Sequence, residues 1–156
     1  MDVLFPGTFD PFTIGHKMIV DKALQMKMRP IVCFLNNPKK ERTFSLNAMV
    51  NAVWKIWDAE VEAYHYDLNA SDVCKNFGIN VIIKGVRNSQ DFEYEKNMAD
   101  YHERFFGIQT ILIPTSENIS STMVRELYKL EAFDLIEKTV PEYVYNVILH
   151  NEYHLH

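Results

Sequence analysis

The sequence predicts an α/β fold: a doubly wound, five-stranded parallel sheet with helices on both faces. Three observations carry this expectation. Short apolar runs of strand length, mostly β-branched or aromatic, recur along the chain. Segments with helical spacing lie between them, and capping and stop residues stand where those helices should begin and end. Strands that alternate with helices imply βαβ crossovers, which make the strands parallel and cover both faces of the sheet.

The first strand is expected at residues 3–5 and leads into a helix whose apolar stripe is Met18, Ile19, Ala23 and Leu24. The second run is 31–35. Ser45 caps the next helix, where Leu46, Met49, Val50, Val53, Trp54 and Trp57 follow i, i+3, i+4, i+7, i+8, i+11 spacing and should face the core. A third strand at 61–66 precedes a short helix capped by Ser71 or Asp72 and ended by Gly78. Strands at 81–83 and 110–113 complete the sheet, and Ser120 caps a helix running through Leu130. Pro141 suits the first turn of a last helix, about 141–151, containing Val144, Val147 and Ile148. A short tail, 152–156, follows; His150, His154 and His156 are irregularly spaced and read as a solvated end rather than a metal site.

The 156 residues fit one domain spanning 1–156, and 47% hydrophobic residues are enough for one core. Sixteen Lys and Arg against twenty-one Asp and Glu leave a charge of −5, which argues against coating nucleic acid and leaves room for a local anion site. Cys33 and Cys74 are the two cysteines, both in apolar stretches, and no charged leader with an apolar signal region opens the chain. A reducing, cytoplasmic location is expected. Apolar runs such as 31–35 and 111–113 are far shorter than the roughly 20 residues of a membrane span, so no membrane partner is expected.

The chemistry concentrates in Phe5-Pro6-Gly7-Thr8-Phe9-Asp10-Pro11-Phe12-Thr13-Ile14-Gly15-His16, which fuses a strand end, a turn and a helix start. Gly7 and Gly15 permit close backbone approach, the two prolines stiffen the turn, and the helix start offers free N–H groups and a positive dipole end to an anion. Asp10 reads as a turn-forming side chain. Gly-x-Gly-x-x-Gly is absent, so a dinucleotide fingerprint fits poorly. Cations fall at the strand ends: Lys39, Lys40 and Arg42 after the second strand, Lys84 and Arg87 after the fourth, and Arg125 in the helix after the fifth. In a net-acidic chain these six predict a focused positive field where the loops after strands one, two, four and five converge.

The string Gly7 to His16 resembles the signature of the nucleotidyltransferase superfamily, whose members carry His/Thr-x-Gly-His after the first strand. Lys84-Gly85-Val86-Arg87, Asp91-Phe92-Glu93-Tyr94-Glu95, Met98-Ala99 and Ile119-Ser120-Ser121-Thr122-Met123-Val124-Arg125 resemble, in order, the motifs of bacterial phosphopantetheine adenylyltransferases. The match runs from Phe5 to about Pro141. The resemblance implies a Rossmann-like fold and transfer of AMP from ATP to 4′-phosphopantetheine, giving 3′-dephospho-coenzyme A and pyrophosphate. It further implies Mg2+ on the polyphosphate, coenzyme A as a feedback ligand, and a homo-oligomer, most often a hexamer.

Carried over by residue, the resemblance makes His16, Lys40 and Arg87 catalytic. ATP would be met by Thr8, Phe9, His16, Gly85, Val86, Arg87 and Glu95, and by the loop Ser116, Glu117, Asn118, Ile119, Ser120, Ser121 and Thr122. The acceptor would be met by Thr8, Lys40, Ala70 and Lys84. No protein metal ligand is implied. Three departures stand out: Lys84 replaces a usual arginine, 115–118 lacks an aromatic, and His102 stands where asparagine is common. Tyr94, Tyr101, Phe105 and Phe106 serve either an interface or the packing of their own helix. Competing readings are another small-molecule nucleotidyltransferase, such as one acting on nicotinamide mononucleotide, or a non-catalytic ATP or coenzyme A sensor.

Overall fold

A computed structural model describes residues 1–36 and 39–151. The expected tail 152–156, with His154 and His156, lies outside the described residues. Within them the chain alternates as expected: β1 (Asp2–Gly7), α1 (Ile14–Gln25), β2 (Arg29–Leu35), α2 (Leu46–Ile56), β3 (Glu62–Tyr66), α3 (Ala70–Phe77), β4 (Val81–Val86), α4 (Ser89–Phe106), β5 (Gln109–Pro114), α5 (Ser121–Lys129), α6 (Phe133–Ile136) and α7 (Glu142–Leu149). No described helix is long and apolar enough to cross a membrane.

The five strands pair in parallel in the order β3-β2-β1-β4-β5. From β1 the chain winds outward through β2 and β3, then returns to place β4 on the other side of β1. That reversal makes the carboxyl ends of β1 and β4 a switch point, where a crevice opens in such sheets. Side chains alternate across the sheet with the period of two that a pleated strand imposes. Val3, Phe5, Val32, Phe34 and Ile83 join a core with Ile19 of α1, Met49 of α2, Val124 of α5 and Ile148 of α7. Leu4, Ile31, Cys33 and Ile82 face the other way, against Val73 and Cys74 of α3.

The helix boundaries follow their caps. Ser45 and Ser120 accept from the N–H of Ala48 and Met123, at 3.3 and 3.1 Å, and Gly78 ends α3 with φ 68°. The α3 start differs from expectation: Asn69, not Ser71 or Asp72, is the cap. Its Oδ1 accepts the Asp72 N–H at 2.9 Å and the Ser71 hydroxyl at 2.6 Å, so both candidates serve the residue ahead of them. Pro141 is the residue before α7 rather than its first, and the helix ends at Leu149, two residues earlier than expected. α6 was not anticipated; it is a single turn. Tyr94, Tyr101, Phe105 and Phe106 are not packed into the core: they are 63%, 46%, 65% and 48% exposed along α4.

Candidate active site

The site begins with the β1–α1 turn. A side chain at Gly7 would put its Cβ 2.7 Å from the Phe9 ring, so glycine is what lets that ring fold back over the strand end. Phe9 itself takes φ 49°, in the left-handed region that non-glycine residues avoid. Its ring meets Phe5, Phe12, Phe34 and His16 at centroid distances of 5.1, 5.3, 5.0 and 4.9 Å. Thr13 caps α1, its hydroxyl accepting the His16 N–H, while the Thr13 N–H donates to His16 Nδ1 at 2.9 Å. This is a capping box with histidine in the place of the usual Glu or Gln.

That box settles the chemistry of the ring. With Nδ1 accepting, the proton of the neutral imidazole sits on Nε2. Burial, followed by the charges of Lys84 and Arg87, pushes the His16 pKa down to about 3. At neutral pH His16 is therefore an uncharged Nε2–H donor.

Two cavities meet at the switch point. The first, about 350 Å3, takes Thr8, Phe9, His16, Lys84, Gly85, Arg87, Glu95, Glu117, Ile119, Ser120 and Ser121 from the expected nucleotide and acceptor sets. The second, about 470 Å3, takes Ala70 with Leu35, Met98, His102 and Phe106. They share Pro6, Gly7, Thr8, Lys84, Tyr94 and Glu95 as a common wall. Gly85 closes the first cavity from below, where an added Cβ would collide with the Ile19 side chain of α1.

Lys84 of the common wall and Arg87 of the first cavity are each paired with a carboxylate from α4. Lys84 Nζ lies 3.4 Å from Glu95, whose side chain is 10% exposed. Arg87 is held by Asp91 through Nε at 2.8 Å and Nη2 at 3.3 Å, and these bonds draw the Asp91 carboxyl below its ordinary range. His102 is pushed toward its neutral form mainly by burial, against a hydrogen bond with the Met98 backbone.

Other expected residues fall elsewhere. Lys40 is exposed on the β2–α2 loop and lines neither cavity. Ser116 and Asn118 are exposed, and with Val86 and Thr122 they stand outside the two linings. The carbonyl of Val86 accepts the Thr115 N–H at 3.0 Å, and Thr122 Oγ1 accepts from Arg125 at 3.1 Å. The expectation that six cations converge on one site needs correction, because Arg42 and Arg125 line neither cavity and instead donate to backbone carbonyls of the first turn. Asp91, Tyr94, Met98 and His102 were not expected in the site. The signal was present: with Glu95 they follow i, i+3, i+4, i+7, i+11 spacing, one face of α4.

A family model described as cytidylyltransferase-like matches residues 4–127. A phosphopantetheine adenylyltransferase of Phocaeicola vulgatus is 38% identical over 129 residues, covering 80% of this chain and 85% of that protein. One of Haemophilus influenzae is 36% identical over 152 residues, covering 94% and 96%. Among solved structures, Thermotoga maritima TmcAL bound with alpha-thio ATP superposes with a TM-score of 0.68 at 12% identity, over 95% of this chain and 55% of that one. Plasmodium falciparum nicotinic acid mononucleotide adenylyltransferase complexed with APC gives 0.65 at 17% identity, over 95% and 94%. At those identities the two structures speak to fold alone. The sequence relationships go further: the chain belongs to the cytidylyltransferase-like family and, within it, to the phosphopantetheine adenylyltransferases.

Proposed function

We propose that the protein transfers AMP from ATP to 4′-phosphopantetheine, releasing pyrophosphate and 3′-dephospho-coenzyme A. The observation that carries this reading is the pair of cavities with a common wall at Thr8, Lys84 and Glu95, which suits two ligands reacting across that wall. An oxygen of the acceptor phosphate attacks the α-phosphorus of ATP as the bond to the pyrophosphate oxygen breaks. The acceptor phosphate is already ionised, so no general base or covalent intermediate is needed, and positioning with charge stabilisation does the work.

In this reading Thr8 and Lys84 hold the acceptor phosphate, and Lys40 reaches it from the β2–α2 loop on its flexible stem. Neutral His16 donates through Nε2–H to an oxygen that gains charge in the transition state. Gly85, Val86, Arg87 and the 116–122 loop hold the nucleotide, with Glu95 setting the position of Lys84. Ala70, Met98 and His102 take the acceptor arm. Magnesium enters with ATP as part of that substrate.

Coenzyme A, which combines features of both substrates, is the natural feedback ligand for the joined cavities. The exposed aromatics of α4 support a homo-oligomer, which we take to be a hexamer; solution mass tests it. A cytoplasmic location completes the reading. The deciding experiment measures pyrophosphate release from MgATP with 4′-phosphopantetheine, with nicotinamide mononucleotide, and with no acceptor. Release with phosphopantetheine alone, accompanied by dephospho-coenzyme A, is expected. Release only with the other acceptor, or with none, overturns the proposal.

A further inference from the structure

Thr8, Phe9, Asp10 and Pro11 are four successive residues whose carbonyls each accept a hydrogen bond from a side chain. Arg42 donates to Thr8 O from Nη1 at 2.6 Å and to Phe9 O from Nη2 at 3.1 Å. Arg125 donates to Asp10 O at 2.7 Å, and the Ser121 hydroxyl to Pro11 O at 2.8 Å. The tie runs in both directions. The Asp10 carboxylate accepts the N–H groups of Thr43 and Phe44, both at 2.9 Å, and lies 3.8 Å from the Arg42 guanidinium. The Arg42 side chain is only 13% exposed and lines neither cavity.

The geometry has a mechanical consequence. In a trans peptide the carbonyl and the following N–H point opposite ways. Holding the Thr8 and Phe9 carbonyls toward Arg42 turns the N–H groups of Phe9 and Asp10 away from it. Phe9 sits at φ 49°, a conformation that is strained for a non-glycine residue and persists only when its surroundings enforce it. A guanidinium fork spans two adjacent carbonyls; a lysine ammonium is a single point on a flexible stem. Phe9 in turn packs edge-on against His16, so the pose of the turn reaches the ring.

We infer that Arg42 is a positioning residue: its fork locks the Thr8–Phe9 turn, and through it the Phe9 N–H and the His16 ring, in the pose that meets the reacting phosphates. The kinetic side of this inference rests on the adenylyl-transfer reading. The test compares full-length wild type with Arg42→Lys and Arg42→Gln. It measures kcat, both KM values, the urea midpoint and the NMR order parameters of the Phe9 and Asp10 amides.

The clamp predicts a fall in kcat of roughly 10- to 100-fold in both variants, with each KM within threefold. It also predicts order parameters dropping from about 0.85 to below about 0.6 at Phe9 and Asp10 alone. Wild-type kcat in Arg42→Lys, or a loss in Arg42→Gln confined to one KM and reduced by salt, marks a phosphate-facing cation and overturns the inference. A lowered urea midpoint with unchanged turnover and rigid amides marks a scaffold residue and also overturns it. If the wild type itself releases no pyrophosphate, the transfer reading fails, and the order parameters still decide the clamp.

Discussion

Replacing His16 by glutamine separates the two tasks of the ring. Nδ1 serves the fold by accepting the Thr13 N–H at 2.9 Å; in the proposed reaction Nε2–H is the group that donates to the ligand in the cavity that His16 lines. Glutamine is a standard third residue of a capping box, so His16→Gln keeps the acceptor and the start of α1. Turnover should fall about 10²- to 10³-fold, the cost of one donor aimed at developing charge, or about 2.7–4 kcal/mol of barrier. The same variant tests the half-buried ring through pH. Burial, with Lys84 and Arg87, holds the folded-state pKa near 3 against an ordinary 6.5, so between those values the unfolded chain binds the extra proton. The stabilisation is therefore complete above pH 6.5 and is lost as pH falls, by about 1.4 kcal/mol per unit, or up to about 2 kcal/mol between pH 6.5 and 5. Urea midpoints at pH 7 and pH 5 should converge more closely in His16→Gln than in wild type. Equal pH slopes in the two proteins, or a folded variant turning over within threefold of wild type, would refute the reasoning.

Three further outcomes follow from particular contacts. Lys84→Met leaves the nearly buried Glu95 without its ion pair, so stability should fall by about 1–3 kcal/mol and the acceptor KM should rise more than that of ATP. Adding Glu95→Gln should restore most of the stability; an uncoupled double mutant denies the pair. Thr110 Oγ1 is buried with no hydrogen-bond partner, so Thr110→Val should raise stability by about 1–2 kcal/mol in urea titration. A loss would mean that the hydroxyl is satisfied in solution. Burial pushes the Cys33 and Cys74 thiols up to about 12 and about 11, and both side chains are enclosed. At pH 8 a thiol reagent should label neither until the protein unfolds, and rapid labelling of native protein contradicts the packing.

Most of the sheet was legible because its strands are punctuated apolar runs, and the order of elements follows from their alternation. The ends of the strands were less legible, and for a reason connected with the site. Pro6 and Gly7 are poor strand residues, and Lys84 and Gly85 interrupt an apolar run, so local propensity stops short of all four. Ladder pairing carries them nonetheless: Pro6 and Gly7 oppose Cys33 and Phe34, and Lys84 and Gly85 oppose Leu112 and Ile113. Residues at those strand ends are small or charged because they form the cavity walls, so propensity fails where the site begins. At α3 the difficulty was crowding: Asn69, Ser71 and Asp72 are all good caps, and only the folded backbone selects Asn69.

The site was legible where its residues come from one short string, as with the turn from Phe5 to His16, although the capping of α1 by Thr13 and its bond to the His16 ring are seen only in the folded chain. It was illegible where a charge finds its partner through a loop. Six cations in a net-acidic chain read as one field, yet sequence does not reveal whether a guanidinium meets a phosphate or a carbonyl. For Arg42 the difference is set by the Asp10 carboxylate drawing Thr43 and Phe44 inward, which delivers the fork to Thr8 and Phe9 across more than thirty residues of chain. Nor does Thr8-Phe9-Asp10 announce a left-handed Phe9, since Asn or Gly is the residue expected in that region. Gly7 makes room for the ring, the arginines hold the carbonyls, and the strained residue between them is maintained by groups distant in sequence. A lost donor at Arg42 should therefore appear first as a fault at Phe9 and His16, not as a weakened hold on an anion.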